Sequence, residues 1–99
     1  MADAAHSAYV IGHITVRNAE KWAAYRSAVP ATLAPWGAEL VLRGTLVEVL
    51  NGSHPHSDTV VIRFPDVATV RGWYASASYQ ALIPLRNEAA TVDLLVFES

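Results

Sequence analysis

Three segments of this chain divide by parity. In Tyr9–Val16, alternate positions hold Val10, Gly12, Ile14 and Val16 on one side and Tyr9, Ile11, His13 and Thr15 on the other. Thr59–Phe64 splits into Val60, Ile62 and Phe64 against Thr59, Val61 and Arg63; Val92–Phe97 splits into Val92, Leu94 and Val96 against Asp93, Leu95 and Phe97. Successive side chains of a strand point to opposite faces. Each segment is therefore predicted as a strand with one wholly apolar face and one face mixing apolar with polar or ionisable groups. The apolar face must pack on helices, and Gly12 on it marks a close approach by another element, such as a crossing helix. The mixed face is still too apolar for water, since Tyr9, Ile11, Val61, Leu95 and Phe97 lie on it.

The segments between these strands carry helix signals. Asn18 is a fitting N-cap with Glu20 in the first turn, and Trp22, Tyr25, Val29 and Leu33 recur at helical spacing. Pro30 interrupts that pattern, so the expectation is a helix from about Ala19 to Ala28 and a short helical or turn piece to Ala34. Glu39–Leu50 is strand-like throughout and reads as one long strand with a bulge at Gly44. Asn51–Ser57 holds Gly, Ser, His and Pro and reads as a loop. Asp66 caps a helix over Val67–Tyr74, and Ser76 caps a second over Ala77–Ala90, kinked at Pro84. The order β-α-β-β-α-β predicts an α+β fold of the ferredoxin-like kind, an antiparallel sheet with helices on one face. The 99 residues form one domain, with residues 1–7 as a loosely ordered start.

Composition then bears on the mixed face. Hydrophobic residues make up 53% of the chain and charged residues 16%, against about 25% charged in typical soluble domains. A second copy of the same surface is the simplest cover, so a homodimer with sheets packed face to face about 10 Å apart is expected. Net charge is −2 with no basic cluster, which argues against nucleic acid as a partner. No apolar run approaches the roughly 20 residues that span a bilayer, and the start lacks a secretory pattern. There is no cysteine, hence no disulfide framework or thiol chemistry. The cytoplasm is the default compartment.

Four groups of residues could carry chemistry. His13, Arg63 and Asp93 fall on the mixed face of neighbouring strands, where they form either a site with His13 as general base or a network that orients two sheets. Arg43 and Glu48 flank the expected Gly44 bulge as an ion pair or as side chains re-aimed at a ligand. Trp73, Tyr74, Ser76, Tyr79 and Arg86 surround a helix start, where a carboxylate could meet free N–H groups and Arg86; the plainer reading makes Ser76 a cap and the aromatics core. His54-Pro55-His56, with His6, invites a metal, but no cysteine or carboxylate set joins them and no metal site or cofactor is expected.

Several stretches match a known pattern: Tyr9-Val10-Ile11, Trp22 to Tyr25, Leu42-Arg43-Gly44, Glu48-Val49-Leu50-Asn51-Gly52, Val60 to Pro65, Trp73-Tyr74-Ala75-Ser76-Ala77-Ser78-Tyr79-Gln80, and Leu85-Arg86. From Tyr9 to Glu98 the chain resembles the bacterial family known only as domain of unknown function 1330, in the dimeric α/β-barrel superfamily. His13, Thr15, Asn51 and Arg63 depart from that pattern. The resemblance implies the fold and the dimer and assigns no activity. The expected function is binding of a small hydrophobic or carboxylate-bearing molecule. Superfamily analogy offers a cofactor-independent monooxygenase or isomerase with His13 as base, and, lower, haem binding through a histidine.

Overall fold

The computed structural model describes residues 6–99. The parity pattern becomes four antiparallel strands, β1 (Ala8–Val16), β2 (Glu39–Thr45), β3 (Asp58–Phe64) and β4 (Ala90–Glu98), in the order β2-β3-β1-β4. The first strand lies between the third and the last, as the split βαβ order requires. Of the start expected to be loosely ordered, residues 1–5 lie outside the described residues. Ser7 is tied down, its carbonyl accepting from Ser99 N at 3.0 Å.

The helices all cover one face. Val10, Ile62 and Phe64 of the sheet bury against Tyr25, Leu33, Val70, Trp73 and Tyr79. Gly12 is on this face, but no helix crosses it: a Cβ there would meet Val60 Cγ1 at 3.0 Å and Leu94 Cδ2 at 3.1 Å. Side chains of the two flanking strands lean over the gap instead.

The first helix, α1 (Ala19–Leu33), starts as expected, with Asn18 accepting from Lys21 N at 3.0 Å. It does not stop before Pro30. Tertiary contacts hold the last turn together: Leu33 and Thr32 are buried, and the Trp73 indole donates to Thr32 Oγ1 at 3.0 Å. Packing outweighs the one backbone bond that proline removes. A 3₁₀ turn (Ala34–Trp36) follows and ends at Gly37, whose φ of 66° suits glycine.

The second strand departs most from expectation. It stops at Thr45, paired with Asp58, and its register shift lies between Leu40 and Leu42 rather than at Gly44. Residues 46–57 leave the β2–β3 ladder after one more bond, Leu46 N to Ser57 O at 2.7 Å, and Ser57 N donates to Ile14 O of β1 at 3.2 Å. Val47 and Leu50 in this arm are 92% and 90% exposed.

After β3, α2 (Val67–Ala75) is capped by Asp66, which accepts from Thr69 N at 2.7 Å. The hydrogen bond to Thr69 holds the Asp66 carboxyl below its usual range. The expected kinked helix over Ala77–Ala90 is two short ones, α3 (Ala77–Gln80) and α4 (Ile83–Ala89). Pro84 sits in the first turn of α4, where a missing N–H costs nothing. No helix among the described residues is long and apolar enough to cross a membrane. The Cα envelope measures 44 × 37 × 16 Å, with a radius of gyration of 14.3 Å, against about 13 Å for a compact chain of this length.

Candidate functional site

The register shift in β2 decides what lines the interior. Directly opposed residues share a face. Leu40 opposes Ile62 and so faces the helices; Leu42 opposes Val61 and faces away; Arg43 opposes Val60 and faces the helices again. The extra residue, Val41, restarts the alternation. Without it Arg43 would point to the outer face.

Arg43 thereby joins a cavity of about 450 Å³ between α1 and the inner sheet face. Its walls are mainly apolar, including Trp22, Val29, Ile62 and Leu94, and Arg26 from α1 shares the lining with Arg43. Neither arginine belongs to an ion pair among the described residues, where the pairs are Lys21–Glu88, His56–Asp93 and Arg63–Glu39. Arg43 is accessible to solvent, yet partial burial, and then the Arg26 charge, pull it below the usual arginine range. Asp58 lines the same cavity, so its charged lining sets two guanidinium groups against one carboxylate, a net positive site.

A buried polar thread touches this cavity. Arg86 Nη1 donates to Tyr79 OH at 3.0 Å, and Tyr79 OH lies 2.8 Å from Tyr25 OH. Burial, reinforced by Tyr79 and opposed by Arg86, pushes the Tyr25 phenol far up. Arg86 Nε is buried without a partner among the described residues.

The outer face is ordered in rows. Ile11 lies between Val61 and Leu95, with Leu42 beyond Val61. One row away Tyr9 lies between Arg63 and Phe97. On the other side His13 lies between Thr59 and Asp93. His13 Nδ1 is 3.1 Å from Thr59 Oγ1. The segment before β3 folds over this last row. His54 meets His13 edge-on at a centroid distance of 4.8 Å, and His56 stacks over it at 6.4 Å. His56 is buried, with Nε2 2.9 Å from Asp93 Oδ2 and Nδ1 2.9 Å from Thr15 Oγ1.

The expected groups are thus redistributed. His13 and Asp93 are cross-strand neighbours. Arg63 sits four residues from Thr59 along β3, roughly 13 Å away, and pairs with Glu39 at 3.1 Å. His54 and His56, from the segment that the sequence reads as a loop, take its place. Arg43 and Glu48 do not meet, since β2 ends before Glu48. Ser76 caps α3, its Oγ accepting from Tyr79 N at 3.3 Å. Trp73 and Tyr79 are core, and Tyr74 is 40% exposed. Arg86 reaches Tyr79 rather than a helix start. Tyr25 and Arg26 were missed: Tyr25 follows the helical period of core residues, and nothing in the sequence marks Arg26. No three His, Asp or Glu side chains among the described residues are arranged to hold a metal ion.

Comparison with solved structures places this architecture among known ones. A protein of unknown function from Rhodopseudomonas palustris superposes with a TM-score of 0.82 at 17% identity, over 98% of this chain and 85% of that one. A dimeric ferredoxin-like protein of unknown function from Jannaschia sp. CCS1 gives 0.72 at 12% identity, over 94% and 99%. SnoaB, a cofactor-independent oxygenase from Streptomyces nogalater, gives 0.68 at 15% identity, over 96% and 94%. At these identities the likeness shows the fold alone. Comparison with curated protein sequences gives no match. The family model described as domain of unknown function (DUF1330) matches residues 7–99, and the chain belongs to that family.

Proposed function

We propose that the protein binds a small apolar acid in the cavity between α1 and the sheet. The observation that carries this reading is the position of Arg43, turned inward by the extra residue Val41 to share an apolar cavity with Arg26. A cavity of about 450 Å³ suits a molecule of one to three rings or a medium acyl chain. The guanidinium groups offer planar donor pairs that match a carboxylate. Catalysis with His13 as base finds less support, because His13 lies on the opposite face from the cavity.

The protein acts as a homodimer in this reading. Leu42, Leu95 and Phe97 are 54%, 41% and 51% exposed on the outer face, and related folds are dimeric. A patch of this kind is characteristic of an interface.

Fluorescence titration with naphthoate, beside the uncharged alcohol naphthalenemethanol, tests the cavity. Naphthoate should bind more tightly than the alcohol, and Arg43→Gln or Arg26→Gln should each weaken it about tenfold while leaving the alcohol unaffected. Equal binding of acid and alcohol, or no effect of either substitution, overturns the reading.

A further inference from the structure

The cavity and the polar thread share one residue, Tyr25. The direction of the thread follows from donor chemistry. Arginine has no acceptor, so the Tyr79 oxygen must accept from Arg86. Tyr79 is fully buried, its hydroxyl proton cannot reach water, and the Tyr25 oxygen at 2.8 Å is its partner. A buried donor left without an acceptor is costly, so Tyr79 donates to Tyr25. The proton of Tyr25 is then the open end of the thread. Tyr25 keeps 7% of its surface accessible and is one of the residues that line the cavity. Its oxygen accepts from a hydroxyl that itself accepts from a cation, an arrangement that polarises the terminal O–H and strengthens it as a donor.

We infer that Tyr25 contacts the ligand, donating a hydrogen bond to a carbonyl oxygen deeper in a molecule whose acidic end is held by Arg26 and Arg43. The ligand class is thereby an aromatic or acyl acid bearing a second, uncharged acceptor oxygen. The inference rests on the cavity being the binding site. Burial above all keeps the Tyr25 phenol protonated at neutral pH, where it serves as a donor and not as a base.

Two measurements test this. Neutron diffraction from the deuterated protein should show the Tyr79 deuteron on the line to Tyr25 and the Tyr25 deuteron directed into the cavity. A Tyr25 deuteron directed at Tyr79 overturns the inference whether or not a ligand binds. In titrations, at least one isomer of acetylnaphthoate should bind about fivefold more tightly than naphthoate. Tyr25→Phe, which keeps the ring, should erase that advantage, bringing the ratio of acetylnaphthoate to naphthoate affinity to about one. An advantage that survives Tyr25→Phe, or no isomer that gains, counts against Tyr25. Failure of both acids to bind the wild type counts against the cavity reading instead, and the neutron map still decides the direction of the thread.

Discussion

His56 donates from Nε2 to Asp93 Oδ2 across 2.9 Å, joining the segment before β3 to the far strand of the sheet. The other ring nitrogen, Nδ1, lies 2.9 Å from Thr15 Oγ1, so the imidazole is hydrogen-bonded at both ends. The ring is a staple across the outer face. Thr15→Val keeps the shape and leaves a buried ring nitrogen of His56 without its partner, which costs about 1–3 kcal/mol. Urea unfolding should read that loss, and amide exchange at Ser57, bonded to Ile14 O at 3.2 Å, should accelerate. Asp93→Asn should cost less, because the Asp93 side chain is 62% exposed. Unchanged exchange at Ser57 in the Thr15 variant would refute the staple.

Gly72 allows α2 to pack on the 3₁₀ turn. A Cβ there would sit 2.6 Å from Trp36 Cζ3 and 2.9 Å from Trp36 Cη2. Gly72→Ala gains about 1 kcal/mol of helix propensity, but overpacking of this severity costs about 1–3 kcal/mol. A net loss of stability is expected, and Trp36→Leu should turn the same substitution from harmful to favourable. A double-mutant cycle by chemical denaturation measures the coupling.

Tyr25 gives alkaline denaturation a definite source. Its folded pKa lies above its unfolded one, so the folded state holds the proton more tightly. Its contribution is unaffected below about pH 10, and above that pH the unfolded chain ionises first. Stability should then fall by up to about 1.4 kcal/mol per pH unit from this group. Tyr25→Phe should flatten the alkaline limb of a stability–pH curve, and an unaltered limb would show that the phenol does not titrate in this way.

Leu95 lies in the middle row of the outer face. Leu95→Glu should convert a dimer to a monomer in sedimentation experiments at micromolar concentration, with little change in far-ultraviolet circular dichroism. A dimer that persists would place the interface elsewhere.

Strand parity made the two faces of the sheet legible, because Val10, Ile62 and Phe64 must bury wherever the helices run, and the element order gave the strand order. The caps Asn18, Asp66 and Ser76 were equally readable, each being a local bond. Pro30 misled because the bond it removes is local while the contacts of Thr32 and Leu33 that outweigh it are not. Val41 was invisible as a bulge: Leu-Val-Leu is apolar in either register, and Gly44 was the more conspicuous residue. That one position moved Arg43 from the outer face to the cavity. Nothing local marks His56 for burial, because a Gly-Ser-His-Pro stretch shows no periodicity and its partners Thr15 and Asp93 lie 41 and 37 residues away.

Along its short axis the fold is 16 Å deep, little more than one sheet and one layer of helices. No strand side chain is then far from a boundary: an even position of β1 helps shape the cavity or its supporting core, and an odd one helps shape the opposite surface. A substitution there has no neutral interior to disappear into. The two surfaces are nonetheless separated by a single backbone layer, so ligand preference and self-association can be altered independently by choosing the parity of the residue changed.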